Sequence, residues 1–189
     1  MSKKTCIIIL FIIVPFFVQA QNASVENKLF GFQTGLFGIW GHYEKKVQNN
    51  ISLRSEIGFD NGVWQNADNS VGFFLVPALI AEPRYYYNLD KRIEKSKRIS
   101  SNSANYLSLF LRYHPDWFVI SNKSTGSVIP DFSIIPTWGL RRSIGQRFNF
   151  ETSLGLGYRF YFDSDNSNEL DLNLTVRLGY NFKVKSNSH

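Results

Sequence analysis

The chain of 189 residues has one cysteine and three histidines. Cys6 lies in an N-terminal apolar run that we expect to be removed on export. The mature chain would then have no thiol for a disulfide, a metal site or nucleophilic catalysis. His42, His114 and His189 are far apart in sequence, and no cluster of His, Cys or carboxylates has metal-ligand spacing. We therefore expect no metal and no cofactor.

The sequence also lacks a long apolar run. A transmembrane helix needs roughly twenty apolar residues, whereas Cys6 to Val18 spans only thirteen residues, broken by Pro15. This run follows two lysines and precedes Val18-Gln19-Ala20. Val18 and Ala20 are the small residues that signal peptidase requires at positions −3 and −1 of its cleavage site. We predict a cleaved signal peptide over residues 1–20 and one domain over 21–189. A retained anchor is the less favoured alternative because of the short run.

Charge of one sign is only in slight excess in the predicted mature chain. Without Lys3 and Lys4, nineteen basic residues face fifteen acidic ones, a formal charge of +4. These charges are spread along the chain, so nucleic acid is not an expected partner.

The sequence does contain long runs in which apolar and polar residues alternate. Near the C-terminus the apolar members are Leu172, Leu174, Val176, Leu178, Tyr180, Phe182 and Val184. The preceding run has Phe148, Phe150, Leu154, Leu156, Tyr158, Phe160 and Phe162 in the same role. A period of two indicates strands with one apolar and one polar face.

Shorter stretches with the same period begin near Ile51, Leu107 and Phe132. The run from Val71 to Tyr87 differs, because its first half is apolar on both faces. It becomes amphipathic only at Glu82 and Arg84. The pattern as a whole predicts an all-β chain of antiparallel strands.

Strand length and polarity favour a membrane-spanning β-barrel over a soluble sheet. The two C-terminal runs exceed the nine to eleven residues that a tilted strand needs to cross a membrane. Turning Arg159 towards lipid would cost about 2–4 kcal/mol at mid-bilayer. We therefore assign bulky apolar side chains to the outside and polar ones to the inside.

The segment from Lys28 to Lys46 changes phase among Gly35, Leu36, Phe37 and Gly38. A one-residue slip turns every side chain to the other face, so a hairpin or a single bulged strand fits there. The hairpin gives eight strands, and an even number puts both termini in the periplasm. We therefore predict an up-and-down transmembrane barrel of about eight strands.

Nine charged residues fall on the predicted inner face: Arg54, Glu56, Glu82, Arg84, Arg112, Arg141, Glu151, Arg159 and Arg177. One interpretation is a selective, porin-like pore. The favoured one is a packed network of ion pairs, because the interior of an eight-stranded barrel is filled by side chains.

These features resemble the small outer-membrane β-barrel proteins of Gram-negative bacteria, with the architecture of the OmpA membrane domain and of OmpX. The resemblance covers the whole predicted mature chain. It implies an outer-membrane location, lipid contacts and the barrel-assembly machinery as a partner, with Tyr180 and Phe182 in the assembly signal. The tail Lys183 to His189 departs from that family, which usually ends on the aromatic residue.

Enzymatic activity is not expected. Outer-membrane lipid-modifying enzymes are an alternative, but they carry a His-x-Ser pair that none of the three histidines offers. His114 near Asp116 suits a loop edge better than a catalytic pair. A second alternative is a soluble lipocalin-like binder of an apolar ligand, because Gly38-Ile39-Trp40 is similar to the lipocalin G-x-W motif.

Two connecting segments carry further hypotheses. Asn88 to Ser103 is rich in lysine and arginine, and we expect a solvated loop or short helix there, or a contact with anionic headgroups. The segment Pro115 to Pro130 contains Trp117 and Phe118, which either pack on neighbouring structure or bind an extracellular surface. The expected function is a non-enzymatic outer-membrane barrel with a structural or adhesive role.

Overall fold

The computed structural model describes residues 23–65, 71–122, 129–163 and 167–182. The predicted signal peptide and the tail after Phe182 lie outside these ranges. The described elements are β1 (Lys28–Gly35), β2 (Gly38–Gln48), β3 (Ile51–Gln65), β4 (Val71–Tyr85), α1 (Leu89–Glu94), a 3₁₀ turn (Ser100–Asn102), β5 (Asn105–His114), β6 (Ile120–Ser121), β7 (Asp131–Ile144), β8 (Phe148–Tyr161) and β9 (Glu169–Phe182).

The long strands form one antiparallel sheet that closes on itself. Each pairs with its neighbour in the chain, β5 pairs with β7, and β9 returns to pair with β1 between Phe30↔Phe182 and Gly35↔Arg177. The ring contains eight strands, and the two-residue β6 adds to the free part of β4. The predicted all-β, antiparallel architecture is confirmed.

A tight hairpin joins β1 and β2 and resolves the phase change in the sequence. Gly35 pairs with Gly38, so only Leu36 and Phe37 form the connection. Gly38 has φ +149°, and a Cβ there would lie 2.0 Å from the carbonyl oxygen of Phe59. A side chain cannot be accommodated at this position. The segment is therefore two strands, which brings the ring to the predicted number.

The ring has two ends, which differ in their connections. At the terminal end lie residue 23, Phe182 and the connections at 49–50, 86–104 and 145–147. At the loop end lie the 36–37 hairpin, the last residues of β3, β5 and β8, and the first residues of β4, β7 and β9.

Side-chain polarity is reversed relative to an ordinary soluble sheet. Along β9 the inward residues Asp171, Asn173, Thr175 and Arg177 are buried. The outward residues of β8 and β9 include Leu154, Leu156, Leu172, Leu174 and Leu178, each between 49% and 59% exposed. The alternation therefore separates a polar interior from an apolar outer surface.

Residues that precede β1 and residues between β4 and β5 cover the terminal end of the ring. Ala23 and Val25 pack with Tyr86, Leu89, Ala104 and Tyr106 in a buried apolar cluster. The Val25 amide donates to the Asn49 carbonyl at 2.8 Å, and the Glu26 amide donates to Asn102 Oδ1 at 2.7 Å. The segment 88–103 contains the expected short helix. Leu89, Asn102 and Ser103 of this segment are buried, whereas Lys91, Lys95, Lys97 and Arg98 are exposed.

Candidate functional site

The interior of the ring holds two groups of charged side chains. The one nearer the terminal end, the closed cluster, has four arginines and four glutamates, all buried: Arg54, Arg84, Arg141, Arg177, Glu44, Glu56, Glu82 and Glu151. Its formal charge is therefore zero. Buried charges are tolerated when each has a partner of opposite sign and hydrogen bonds to the remaining polar atoms.

Glu151 of β8 connects two of the arginines. Its Oε1 accepts from Arg84 Nη2 at 2.7 Å and from the Tyr106 hydroxyl at 3.0 Å. Its Oε2 accepts from Arg141 Nε at 2.6 Å. The Arg84 guanidinium also lies 4.2 Å from the centre of the Tyr106 ring, which adds a cation–π contact.

Glu44 of β2 occupies the side nearest the terminal end. It accepts from Arg141 Nη1 at 2.7 Å, Ser52 Oγ at 2.6 Å and Asn102 Nδ2 at 2.7 Å. Tyr86, just after β4, donates its hydroxyl to Glu44 Oε1 at 2.8 Å. Burial raises the pKa of the Tyr86 phenol, so this hydroxyl remains a donor at neutral pH. The closed cluster is thus tied to the chain that covers the terminal end.

Arg177 marks the other boundary of the closed cluster. Its Nη1 donates to Glu56 Oε2 at 2.8 Å, and its guanidinium stacks 3.9 Å from the centre of the Trp40 ring. Glu56 also accepts from Arg54 Nε. Trp40 packs with Ile80, Phe110 and Ile135 in a buried apolar layer. This layer separates the closed cluster from the loop-end half of the interior.

The second group, the open cluster, lies in the loop-end half and consists of Asp60, Arg112, His114, Asp131, Arg159 and Asp171. His114 Nδ1 lies 3.0 Å from Asp131 Oδ2, and its Nε2 lies 3.1 Å from Asp60 Oδ2. Only an imidazolium can donate from both ring nitrogens. When His114 is protonated, the open cluster contains three carboxylates and three cations.

Asp171 of β9 joins the two arginines of the open cluster. It accepts from Arg112 Nη2 at 2.7 Å, from Ser133 Oγ at 2.6 Å and from Arg159 Nη2 at 3.0 Å. Arg159 lies at the rim, where its side chain is 25% exposed, and it also contacts Glu169. The open cluster is therefore less enclosed than the closed cluster.

A cavity of about 350 Å³ lies between the open cluster and the apolar layer. Its lining includes Trp40, Phe110 and Arg177 on the deep side. It also includes Leu36 and Phe37, which are exposed at the loop end. The described residues therefore leave the cavity open towards the loop end and closed towards the terminal end.

The nine charged residues predicted for the inner face divide between the two clusters. Seven belong to the closed cluster: Arg54, Glu56, Glu82, Arg84, Arg141, Glu151 and Arg177. Arg112 and Arg159 belong to the open cluster. The predicted set of nine omitted Glu44, which lies in phase with His42 in β2, and the aspartates Asp60, Asp131 and Asp171, although Asp60 and Asp131 stand on the polar sides of alternating runs.

His114 is the last residue of β5 and therefore lies at a strand end next to a loop, as expected. It is nevertheless buried, and its partners are Asp60 and Asp131 across the sheet. Its position at the end of β5 was visible in the alternation. Its partners, however, lie 54 and 17 residues away, so the contacts depend on strand register.

The predicted assembly residues lie at the seam that closes the ring. Phe182 pairs with Phe30, and Tyr180 pairs with Phe32. Their ring centres lie 5.3 and 6.0 Å apart, on the outer surface near the terminal end. Arg147 donates to the Tyr180 hydroxyl.

The predicted loop residues Trp117 and Phe118 lie in a short excursion between β5 and β6. Both are exposed, and Phe118 packs at 6.1 Å on Phe59, an outward residue of β3. The chain then returns to pair with β4 through β6. The polar part of this connection, residues 123–128, lies outside the described residues. Phe118 therefore lies against the outer wall of the ring.

Comparison of the chain with protein-family models, curated proteins and solved structures gives no match. Over the described ranges, no helix has the length and apolar character needed to span a membrane. In the same ranges, no three His, Cys, Asp or Glu side chains are arranged to hold a metal ion.

Proposed function

We propose that this protein is an integral β-barrel of the bacterial outer membrane, with a packed interior and no enzymatic activity. One observation carries the proposal. The closed cluster is buried inside the ring, while the outer wall exposes leucine, isoleucine and aromatic side chains around its circumference.

This reversed polarity is unfavourable in water and favourable in lipid. Monomeric soluble proteins rarely expose contiguous apolar patches larger than a few hundred Å². Exposed apolar residues occur here on each of the eight ring strands, including Phe32, Ile39, Ile57, Phe73 and Leu109. A closed sheet satisfies its backbone hydrogen bonds internally, which is the condition for crossing a bilayer with strands.

The outer wall carries aromatic residues towards both ends. Near the terminal end these include Phe30, Phe148 and Tyr180, and near the loop end they include Tyr113 and Phe162, whose rings are 6.1 Å apart. Aromatic side chains favour the two membrane interfaces. In this proposal the terminal end faces the periplasm and the loop end faces outside.

The packed interior supports a structural role in the envelope better than it supports a role as a pore. The closed cluster, the apolar layer and the covered terminal end leave no open path through the described part of the ring. The partners in this proposal are outer-membrane lipid and, through Tyr180 and Phe182 at the seam, the barrel-assembly machinery. Neither partner requires a cofactor.

Trp117 and Phe118 fit membrane anchoring better than adhesion. Phe118 packs on Phe59 of the outer wall instead of projecting from the loop end. An exposed tryptophan beside it suits the outer interface, where indole rings are enriched. Adhesion to an extracellular surface is the weaker candidate for this pair.

The two alternative functions have less support. A lipocalin needs an apolar interior and a polar outer surface, the reverse of the distribution here. A lipid-modifying enzyme needs a nucleophile beside its base. Both ring nitrogens of His114 contact aspartates, and no serine hydroxyl is hydrogen-bonded to it among the described residues.

Fractionation of cells that express the tagged chain tests the proposal. We expect the protein in the outer-membrane fraction, with an apparent mass on gels that changes when the sample is boiled, because a closed sheet resists detergent. Recovery as a soluble periplasmic protein without detergent would contradict the proposal. A known periplasmic protein and a known outer-membrane protein from the same cells serve as fraction controls.

A further inference from the structure

An apolar wall inside the loop-end half distinguishes it from the rest of the polar interior. In β4 the inward residues Phe74 and Val76 line the cavity, in the stretch whose sequence is apolar on both faces. Trp40 of β2 and Phe110 of β5 continue this wall. Neither ring closure nor ion pairing requires apolar side chains at these positions.

The size and composition of the cavity match those of a small-molecule site. Such sites usually have volumes of about 300–1,000 Å³, with mostly apolar walls and a few polar groups that fix orientation. The cavity of about 350 Å³ has Trp40 and Phe110 on its deep side, Phe74 and Val76 along the β4 side, and the open cluster nearer its mouth. A ligand that fits both parts needs an apolar body and a polar head.

The hydrogen-bonding groups at the mouth indicate the charge of that head. Asp60 already accepts from three side chains, and so does Asp171. Each guanidinium carries five N–H donors. Among the described residues, hydrogen bonds use two donors of Arg112 and three of Arg159. At the mouth, therefore, some guanidinium N–H donors have no acceptor among the described residues, whereas the carboxylates of Asp60 and Asp171 already accept hydrogen bonds.

We propose that this cavity binds a small amphipathic carboxylate. Its apolar part lies against Trp40, Phe74, Val76 and Phe110, and its carboxylate accepts from the guanidiniums of Arg112 and Arg159. A guanidinium suits this role because its planar donors match the two oxygens of a carboxylate. This ligand site does not depend on the proposed location in the outer membrane, because it is argued from the cavity alone.

Binding can be measured by calorimetry on the folded chain in lipid nanodiscs, with empty nanodiscs as the blank. The probes are 4-phenylbutyrate, octanoate and the uncharged 4-phenylbutyramide. We expect saturable one-to-one binding of at least one carboxylate. The amide should bind about tenfold more weakly or worse, because it lacks the charge that the guanidiniums recognise.

Two variants and one control locate the site. Val76→Phe fills the cavity from the wall, and Arg112→Gln removes a cation from the mouth. Each should weaken carboxylate binding by about tenfold or more. Val63→Phe makes the same exchange at an outward position that is 67% exposed, and it should leave binding unchanged.

Several results would overturn the proposal: no saturable binding of either carboxylate, equal binding of acid and amide, or unchanged binding in Arg112→Gln. Every sample is first checked for the change in gel mobility on boiling. A chain that keeps this property in the outer membrane but binds neither carboxylate refutes the ligand site alone. A chain recovered as a soluble periplasmic protein refutes the membrane proposal alone.

Discussion

The closed and open clusters use the same chemistry in different surroundings. In the closed cluster four arginines and four glutamates are buried, and Tyr86 and Asn102 donate further hydrogen bonds to Glu44. In the open cluster Arg112 and Arg159 are partly exposed, and a cavity lies beside them. The closed cluster fills space and holds strands together, whereas the open cluster leaves space and donors available.

The difference follows from the side chains at inward positions. Towards the terminal end these are long, and they reach across the ring, so that Arg141 of β7 contacts Glu44 of β2. Towards the loop end the inward residues of β4 and β8 include Gly72, Val76 and Gly157, which are too short to meet opposite strands. Stability should therefore depend mainly on the closed cluster.

The largest expected effect is the loss of one closed-cluster cation. Arg141→Met should lower the free energy of unfolding by about 3–5 kcal/mol, because Glu44 and Glu151 lose their shared partner and remain buried. Urea midpoints in detergent measure it. A loss below about 1 kcal/mol would mean that the closed cluster does not stabilise the ring.

The next effect comes from an arginine on the outer wall. Leu156 lies on β8, five positions from Glu151, and it is 59% exposed. If this wall contacts lipid, Leu156→Arg should cost about 2–4 kcal/mol near the bilayer centre. Unfolding titrations in lipid vesicles give the value, with Leu156→Ala as the control. A neutral result is expected only for a surface that faces water.

A smaller effect is expected for the open cluster. Arg159→Gln should cost about 1 kcal/mol or less, because Arg159 is partly solvated and Asp171 keeps Arg112 and Ser133 as partners. The same urea titration compares it directly with Arg141→Met. An equal decrease in the free energy of unfolding for both variants would mean that the closed cluster contributes no more to stability than the open cluster.

The smallest effect is expected for Thr152→Val. Thr152 faces outwards on β8, and its hydroxyl donates to the carbonyl of Thr175 at 2.8 Å. Valine keeps the shape and the β-branch, so the change should be about 0.5 kcal/mol. It serves as the outward control on the strand that carries Glu151. A loss as large as that of Arg141→Met would contradict the assignment of faces.

The conductance of the intact ring provides a separate check on the closed cluster. A packed terminal-end half predicts no steady current in planar bilayers. A stable open channel in the unmodified chain would show that the closed cluster does not block the interior.

Much of the fold could be read from the sequence. The period of two along the strands defined two faces, and seven of the nine inward charges named from it lie in the closed cluster. The phase change at Gly35 to Gly38 allowed a hairpin or a bulge, and only the pairing of Gly35 with Gly38 decided it. Glu44 was missed because it follows that ambiguous turn.

The sequence by itself determined the strand type and, along the regular runs, the face on which each side chain lies, because alternation is local covalent geometry. Only the tertiary structure decided which charges pair, as with Arg177 and Glu56, which are 121 positions apart. It also decided the covered terminal end, the partners of His114 and the cavity. These depend on how far neighbouring strands are staggered around the ring, and stagger is a property of the closed sheet as a whole.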